Sequence, residues 1–246
     1  MVSLQILSDL HIENIDNANP LDFITPSADI LVLAGDIGRI HKIEQLTKFL
    51  TQICALFEQV IYVLGNHEYY MVDGIEPKTM NELIEIIQSA TSSIKNLHIL
   101  NRSSVVIDDV CIIGCTLWSL SSVGTPANII RIAKMTPKLY NYLHRLDLAY
   151  IKMMIKYCRQ NQLKLVVVSH HCPSFLCSKY KNQNTSLYCS NLDKLLTKTK
   201  IHTWICGHVH WNFDFFTKRG TRVVSNQKGR KLEKVDNFTL QKIITI

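Results

Sequence analysis

At 246 residues and 47% hydrophobic, the chain can bury one large core, as a single α/β domain or a domain with a small insert. A net charge of +7, carried by scattered lysines, welcomes an anionic substrate and argues against a dedicated nucleic-acid binder. No apolar stretch reaches the ~18 residues of a membrane span, and no basic or apolar leader precedes the first strand, so an intracellular, cytoplasmic protein with reduced thiols is expected.

Residues 2–7 and 30–33 are short apolar runs, as expected of strands buried on both faces. Ile43, Leu46, Leu50 and Ile53 then recur at helical spacing, and residues 59–64 read as a third strand. Pro77 suits the first turn of a helix whose buried face is Met80, Leu83, Ile84 and Ile87. Residues 97–100, 104–107 and 111–114 predict strands, the last two joined by a turn at Asp108-Asp109. Residues 119–139 hold Gly124, Pro126 and Pro137 and lack regular patterning; a loop or cap over the site is the functional reading. Leu143, Leu146, Tyr150, Met153 and Tyr157 mark another helix. Strands at 164–169 and 202–206 flank a helix near 191–198. Strands at 213–216 and 221–224 flank a Lys-Arg-Gly turn, and 239–246 reads as a closing strand. Strands alternate with helices early and late, with hairpins between and at the end. The expected fold class is therefore α/β, a four-layer αββα sandwich of two mixed sheets flanked by helices, spanning residues 1–246 as one domain.

Five polar clusters each end an apolar run: Asp9-Leu10-His11, Gly35-Asp36, Gly65-Asn66-His67-Glu68, Ser169-His170-His171 and Gly207-His208-Val209-His210. They supply two Asp, one Asn and six His at strand ends. That is a ligand set for two divalent metals sharing one carboxylate. Mixed oxygen and imidazole donors suit Mn first, with Fe, Zn or Mg as other candidates. If strand geometry persists, residues i and i+2 face the same side, so Asp9 and His11 can serve one centre, and the i, i+2 relation of His208 and His210 after Gly207 permits two ligands from one turn. Of the neighbours His170 and His171 only one should then be a ligand. The eight cysteines form no CxxC pair. Cys54, Cys111 and Cys206 read as small core residues, and Cys172 and Cys177, close to a candidate ligand, as inert thiols.

In this order, Asp-x-His, Gly-Asp, Gly-Asn-His-Glu, His and Gly-His-x-His resemble the calcineurin-like metallophosphoesterase superfamily over residues 9–210. The resemblance implies the same sandwich fold. It implies one metal held by Asp9, His11, Asp36 and His210, and another held by Asp36, Asn66, His170 and His208, with Asp36 bridging. It makes His67 the catalytic histidine that helps the leaving oxygen depart. Two dications would acidify a bridging water, and the hydroxide would attack phosphorus in line. Glu68 is expected to orient His67 or a neighbouring ligand. His171, Arg39 and Asn226 are candidate substrate contacts.

The Asp-Arg-Gly segment of the superfamily's protein serine/threonine phosphatases is missing; Gly35-Asp36-Ile37-Gly38-Arg39-Ile40 stands here. Asp9 is intact where lariat-debranching enzymes usually carry Cys. The segments at 116–118, 169–174 and 220–226 are similar to small microbial metallophosphoesterases, although Asn226-Gln227-Lys228-Gly229 replaces that group's Asn-Pro-Arg-Gly. The expected partner is a phosphorylated small molecule or nucleotide. A phosphodiester is favoured, cyclic nucleotides or nucleic-acid ends included. A phosphomonoesterase on a small metabolite and a non-catalytic binding module are the alternatives. Tyr69, Tyr70 and Trp118 are candidates to stack a base. Nothing in the sequence marks an oligomeric interface.

Overall fold

The computed structural model describes residues 1–120, 131–179 and 185–246. In chain order the elements are β1 (Ser3–Leu7), β2 (Ile30–Ala34), α1 (Ile43–Cys54), β3 (Gln59–Val63), α2 (Met80–Thr91), β4 (Leu97–Leu100), β5 (Ser103–Ile107) and β6 (Val110–Cys115). Then follow α3 (Pro137–Gln160), β7 (Lys164–Ser169), α4 (Asp193–Lys198), β8 (Thr203–Ile205), β9 (Asp214–Phe216), β10 (Arg222–Val224) and β11 (Ile243–Thr245). Among the described residues, one sheet runs β11-β1-β2-β3-β4 and the other β5-β6-β7-β8-β10-β9.

The apolar runs become strands because both of their faces are covered. In β2, Val32 and Ala34 meet Val166, Val168 and Ile205 of the opposite sheet. The alternate residues Leu31 and Leu33 face outward onto Leu46, Phe49 and Ile53 of α1 and Leu83 and Ile87 of α2. The second sheet's outer face, with Ile113, Val167 and Trp204, packs on Ile151, Met154 and Cys158 of α3. Each such aliphatic side chain contributes about 1.5–3 kcal/mol on full burial. The layers are therefore helix, sheet, sheet, helix, as the sequence pattern implies.

Two boundaries differ from expectation. Pro77 lies ahead of α2; Thr79 caps that helix, accepting from Glu82 N–H while the Glu82 carboxylate accepts from Thr79 N–H. Pro137, read as part of an irregular stretch, is the first residue of α3, and Thr136 accepts from Leu139 N–H at 3.1 Å. The expected cap at 119–139 thus loses its last three residues to a helix, and its part at 121–130 lies outside the described residues.

β1, β2 and β3 are mutually parallel, as are β6, β7 and β8. The segments leaving β1, β2, β3, β7 and β8 at their C-terminal ends carry the five polar clusters. Open α/β sheets commonly build sites at this edge.

Candidate metal centre

Asp9 and His11 lie beyond β1, not within it. Both have left-handed backbone, φ 56° and 50°, as do Asp36 at 54°, His208 at 76° and His210 at 47°. The i, i+2 strand argument therefore fails. What aims these side chains is a set of turns pinned to one another: Asp9 N–H donates to Gly35 O at 3.0 Å, and His11 N–H donates to Asp36 O at 3.0 Å. Non-glycine residues in this region cost on the order of 1–3 kcal/mol each and persist where the surroundings over-determine them. The glycines allow the close approach. A Cβ on Gly65 would stand 2.3 Å from Asp36 Oδ1, and one on Gly207 would stand 2.5 Å from Asp9 Oδ2.

Asp36 sits between two clusters. Its Oδ1 is 3.2 Å from His170 Nε2, and its Oδ2 is 4.0 Å from His11 Nε2. On the His11 side, His11 Nε2 is 3.1 Å from His210 Nε2, which is 3.3 Å from Asp9 Oδ1. On the other side, His170 Nε2 is 3.0 Å from Asn66 Oδ1 and 3.2 Å from His208 Nδ1. Asp9, Asp36 and His170 also gather their ligand atoms within 4.8 Å.

This donor set fits divalent metals. His170 Nδ1–H donates to Ala34 O at 2.9 Å, so Nε2 is the nitrogen free to take a metal once its proton is displaced. Asn66 Nδ2 donates to Tyr70 OH at 2.8 Å, which turns the amide oxygen toward His170. Nε2 of His170 and the oxygens of Asn66 and Asp36 thus converge on one small volume, where a divalent ion in place of the His170 proton is held by all three. Burial alone would lower the pKa of His170, yet the Asp36 carboxylate holds it up at about 9. Burial alone would raise the pKa of Asp36, but His170 and His67 keep it well below the usual carboxylate range.

His67 stands over this floor. Its N–H donates to Asp36 Oδ1 at 2.8 Å, and its Nδ1 lies 3.0 Å from Glu13 Oε1. Glu13, which the sequence reading missed, is also 3.5 Å from His11 Nδ1 and 3.6 Å from Arg39 Nε. Against the upward push of burial, His11 and His67 hold the Glu13 carboxyl down at about 2. Glu233, also missed, binds His210 Nδ1.

Glu68 does not touch His67's ring. It accepts from Asp36 N–H, Ile37 N–H and Gly65 N–H at 3.0, 2.7 and 2.8 Å and from Tyr62 OH at 2.6 Å, tying the segment after β2 to the one after β3. Burial, then the Asp36 charge, pushes the Glu68 carboxyl up to about 7.

The candidate substrate contacts divide. Arg39 lines an open cleft of about 890 Å³ above the clusters, together with His67, Tyr70, Arg131, Trp211 and Arg230. His171 is buried beside that cleft, stacked on His208 at 4.0 Å and accepting from Ser119 N–H at 3.2 Å. Asn226 is not brought to the cleft. Its Nδ2 donates to Ile6 O and Thr239 O, and its Oδ1 accepts from Thr239 N–H. Its amide clasps the C-terminal segment to β1, away from the cleft that Arg39 lines. Of the three aromatic residues considered for stacking, Tyr69 and Trp118 are core and Tyr70 reaches the cleft.

A family profile described as calcineurin-like phosphoesterase matches residues 4–212. An uncharacterized protein of Acanthamoeba polyphaga mimivirus, L509, is 28% identical, with 96% of this chain and 93% of that protein covered. Among solved structures, the phosphopantetheinyl hydrolase PptH of Mycobacterium tuberculosis superposes with a TM-score of 0.70 at 18% identity, covering 92% of this chain and 89% of that one. A dimetal phosphatase from Danio rerio gives a TM-score of 0.51 at 13% identity, covering 91% and 86%.

Proposed function

The chain belongs to the calcineurin-like phosphoesterase family, and on that premise we propose how its own residues carry out metal-dependent phosphoester hydrolysis. Residues 1–246 act as one catalytic domain. Asp9, His11, Asp36 and His210 hold one divalent ion, and Asp36, Asn66, His170 and His208 hold another, with Mn²⁺ the best match to the mixed oxygen and imidazole donors. The observation carrying this reading is Asp36, whose two carboxylate oxygens face two different clusters. When bound, such ions acidify water and neutralise charge on phosphoryl oxygens.

The protein's side chains do the rest. Glu13 holds Nδ1 of His67, which leaves Nε2 to deliver a proton to the departing oxygen. The His67 backbone, bonded to Asp36, fixes that donor relative to the metal clusters. Arg39, Arg131 and Arg230 bring positive charge to the cleft and attract the phosphoryl group. The substrate is a phosphodiester of a small or nucleotide-like molecule: the cleft is open, and Tyr70, Tyr188 and Trp211 offer apolar walls for groups on both sides of a phosphate.

The test is metal-loaded protein on bis-p-nitrophenyl phosphate and p-nitrophenyl phosphate. The diester should give the higher kcat/KM by about tenfold or more, a difference of ~1.4 kcal/mol in transition-state binding. A preference for the monoester would overturn the diester assignment.

A further inference from the structure

Behind the cleft lies a second cluster of metal-binding side chains, of different chemistry. The Sγ atoms of Cys172, Cys177 and Cys206 lie within 4.8 Å of one another, all buried. Cys189 lies beside this trio: its backbone bridges that of Cys172. All four are 0% exposed and none is in a disulfide. They come from separate segments: Cys172 just beyond β7, Cys177 in the turn Phe175–Cys177, Cys189 just before α4 and Cys206 just beyond β8.

From this geometry we propose that Cys172, Cys177, Cys189 and Cys206 form a structural zinc site distinct from the candidate catalytic centre. Sulfurs around a tetrahedral Zn²⁺ at ~2.3 Å stand about 3.8 Å apart, which the close trio can reach with small shifts. The spacing between Cys172 and Cys177 falls within the C-x₂₋₄-C range common in zinc sites. Thiolates select Zn²⁺, whereas the Asp, Asn and His set above selects harder ions. Four cysteines close the coordination sphere and leave no open position, which makes the site structural. On binding, each ligating thiol gives its proton to solvent.

The position explains the use. Cys172 follows His170 by two residues, and Cys206 precedes His208 by two. Gly207 N–H donates to His170 O at 2.9 Å, and Cys172 Sγ donates to Gly207 O at 3.2 Å, so the two ligand-bearing turns already touch beside this cluster. A zinc ion there fastens both turns together, along with Cys177 and Cys189 themselves. In the sequence the site shows only as the Cys172–Cys177 spacing, because Cys189 and Cys206 come from further along the chain.

The test separates the two centres by using the Asp36→Ala variant, in which the dinuclear site is broken. The full-length variant, grown with zinc and desalted without chelator, should retain roughly one zinc per chain. Grown with Co²⁺ instead, it should show the near-ultraviolet thiolate-to-cobalt absorption that oxygen and imidazole donors do not give. Adding Cys177→Ser and Cys206→Ser should abolish both signals. If that triple variant does not fold, X-ray absorption at the zinc edge of the Asp36→Ala protein decides, with a sulfur shell at ~2.3 Å expected. No retained zinc and no thiolate band in Asp36→Ala, or a zinc shell of nitrogen and oxygen alone, would overturn the proposal.

Discussion

Glu13 shows how one side chain organises the chemistry of several. A single carboxylate oxygen serves the His67 and His11 rings and lies within 3.6 Å of the Arg39 guanidinium. Carboxylates of this kind orient a histidine and fix which nitrogen carries its proton. Replacing Glu13 by Gln keeps the shape and removes the charge. We expect kcat to fall about 10–100-fold with metal content unchanged, because the histidine is misaligned and the ions are still held. Steady-state kinetics with metal analysis on the same sample checks this; unchanged kcat would remove Glu13 from the account. The residues named from sequence were those that sit in short motifs at strand ends. Glu13 and Glu233 act through contacts that no local pattern encodes: Glu13 and His67 are 54 positions apart, and Glu233 and His210 are 23 apart.

At the scale of elements, legibility followed burial. β3 and β7 were readable because both faces are covered, so the whole run is apolar. The start of α3 was not, because Pro137 reads equally as a breaker and as a first-turn residue, and Thr136 decides between them. The left-handed backbone of the turns bearing Asp9 and His210 was not legible, because contacts with distant turns impose it. One further contact tests how α3 is held. Asp147 on α3, 0% exposed, pairs with Arg102 between β4 and β5 at 2.7 Å. Burial raises the Asp147 pKa, with Arg102 pulling against it. Its folded pKa therefore lies above its unfolded value, so ionising it costs stability above the folded pKa, and that cost disappears below the unfolded pKa. Arg102→Met strands the charge and should cost about 3 kcal/mol near neutral pH, the low end of the range because Arg102 is partly exposed. Urea denaturation at neutral and acid pH should show the deficit narrowing as pH falls. A deficit independent of pH would mean that lost packing, not charge, is responsible.

Over the whole molecule, two sheets bring five turns from distant parts of the sequence onto one edge, where buried carboxylates and histidines await positive charge. The fold and the candidate metal centre should therefore be linked thermodynamically. A ligand that binds only the folded state stabilises it by RT ln(1 + [L]/Kd), about 2.7 kcal/mol at a hundredfold excess over Kd. Mn²⁺ added to chelator-stripped protein should raise its Tm, and Asp36→Ala should abolish the rise. An equal rise in the variant would place the stabilising ion elsewhere. Among the described residues no helix is long and apolar enough to cross a membrane.

The most direct measurement is to load wild type and His67→Ala with Mn²⁺, count bound manganese, and follow hydrolysis of the diester in the same preparations. The account predicts two Mn²⁺ per chain in both proteins, and turnover in the variant reduced by roughly 10²–10⁴-fold. Loss of manganese from His67→Ala would make His67 a ligand and not the proton donor. Undiminished turnover in a fully loaded variant would contradict the central claim that His67, held by Glu13 and Asp36, delivers the proton to the leaving group.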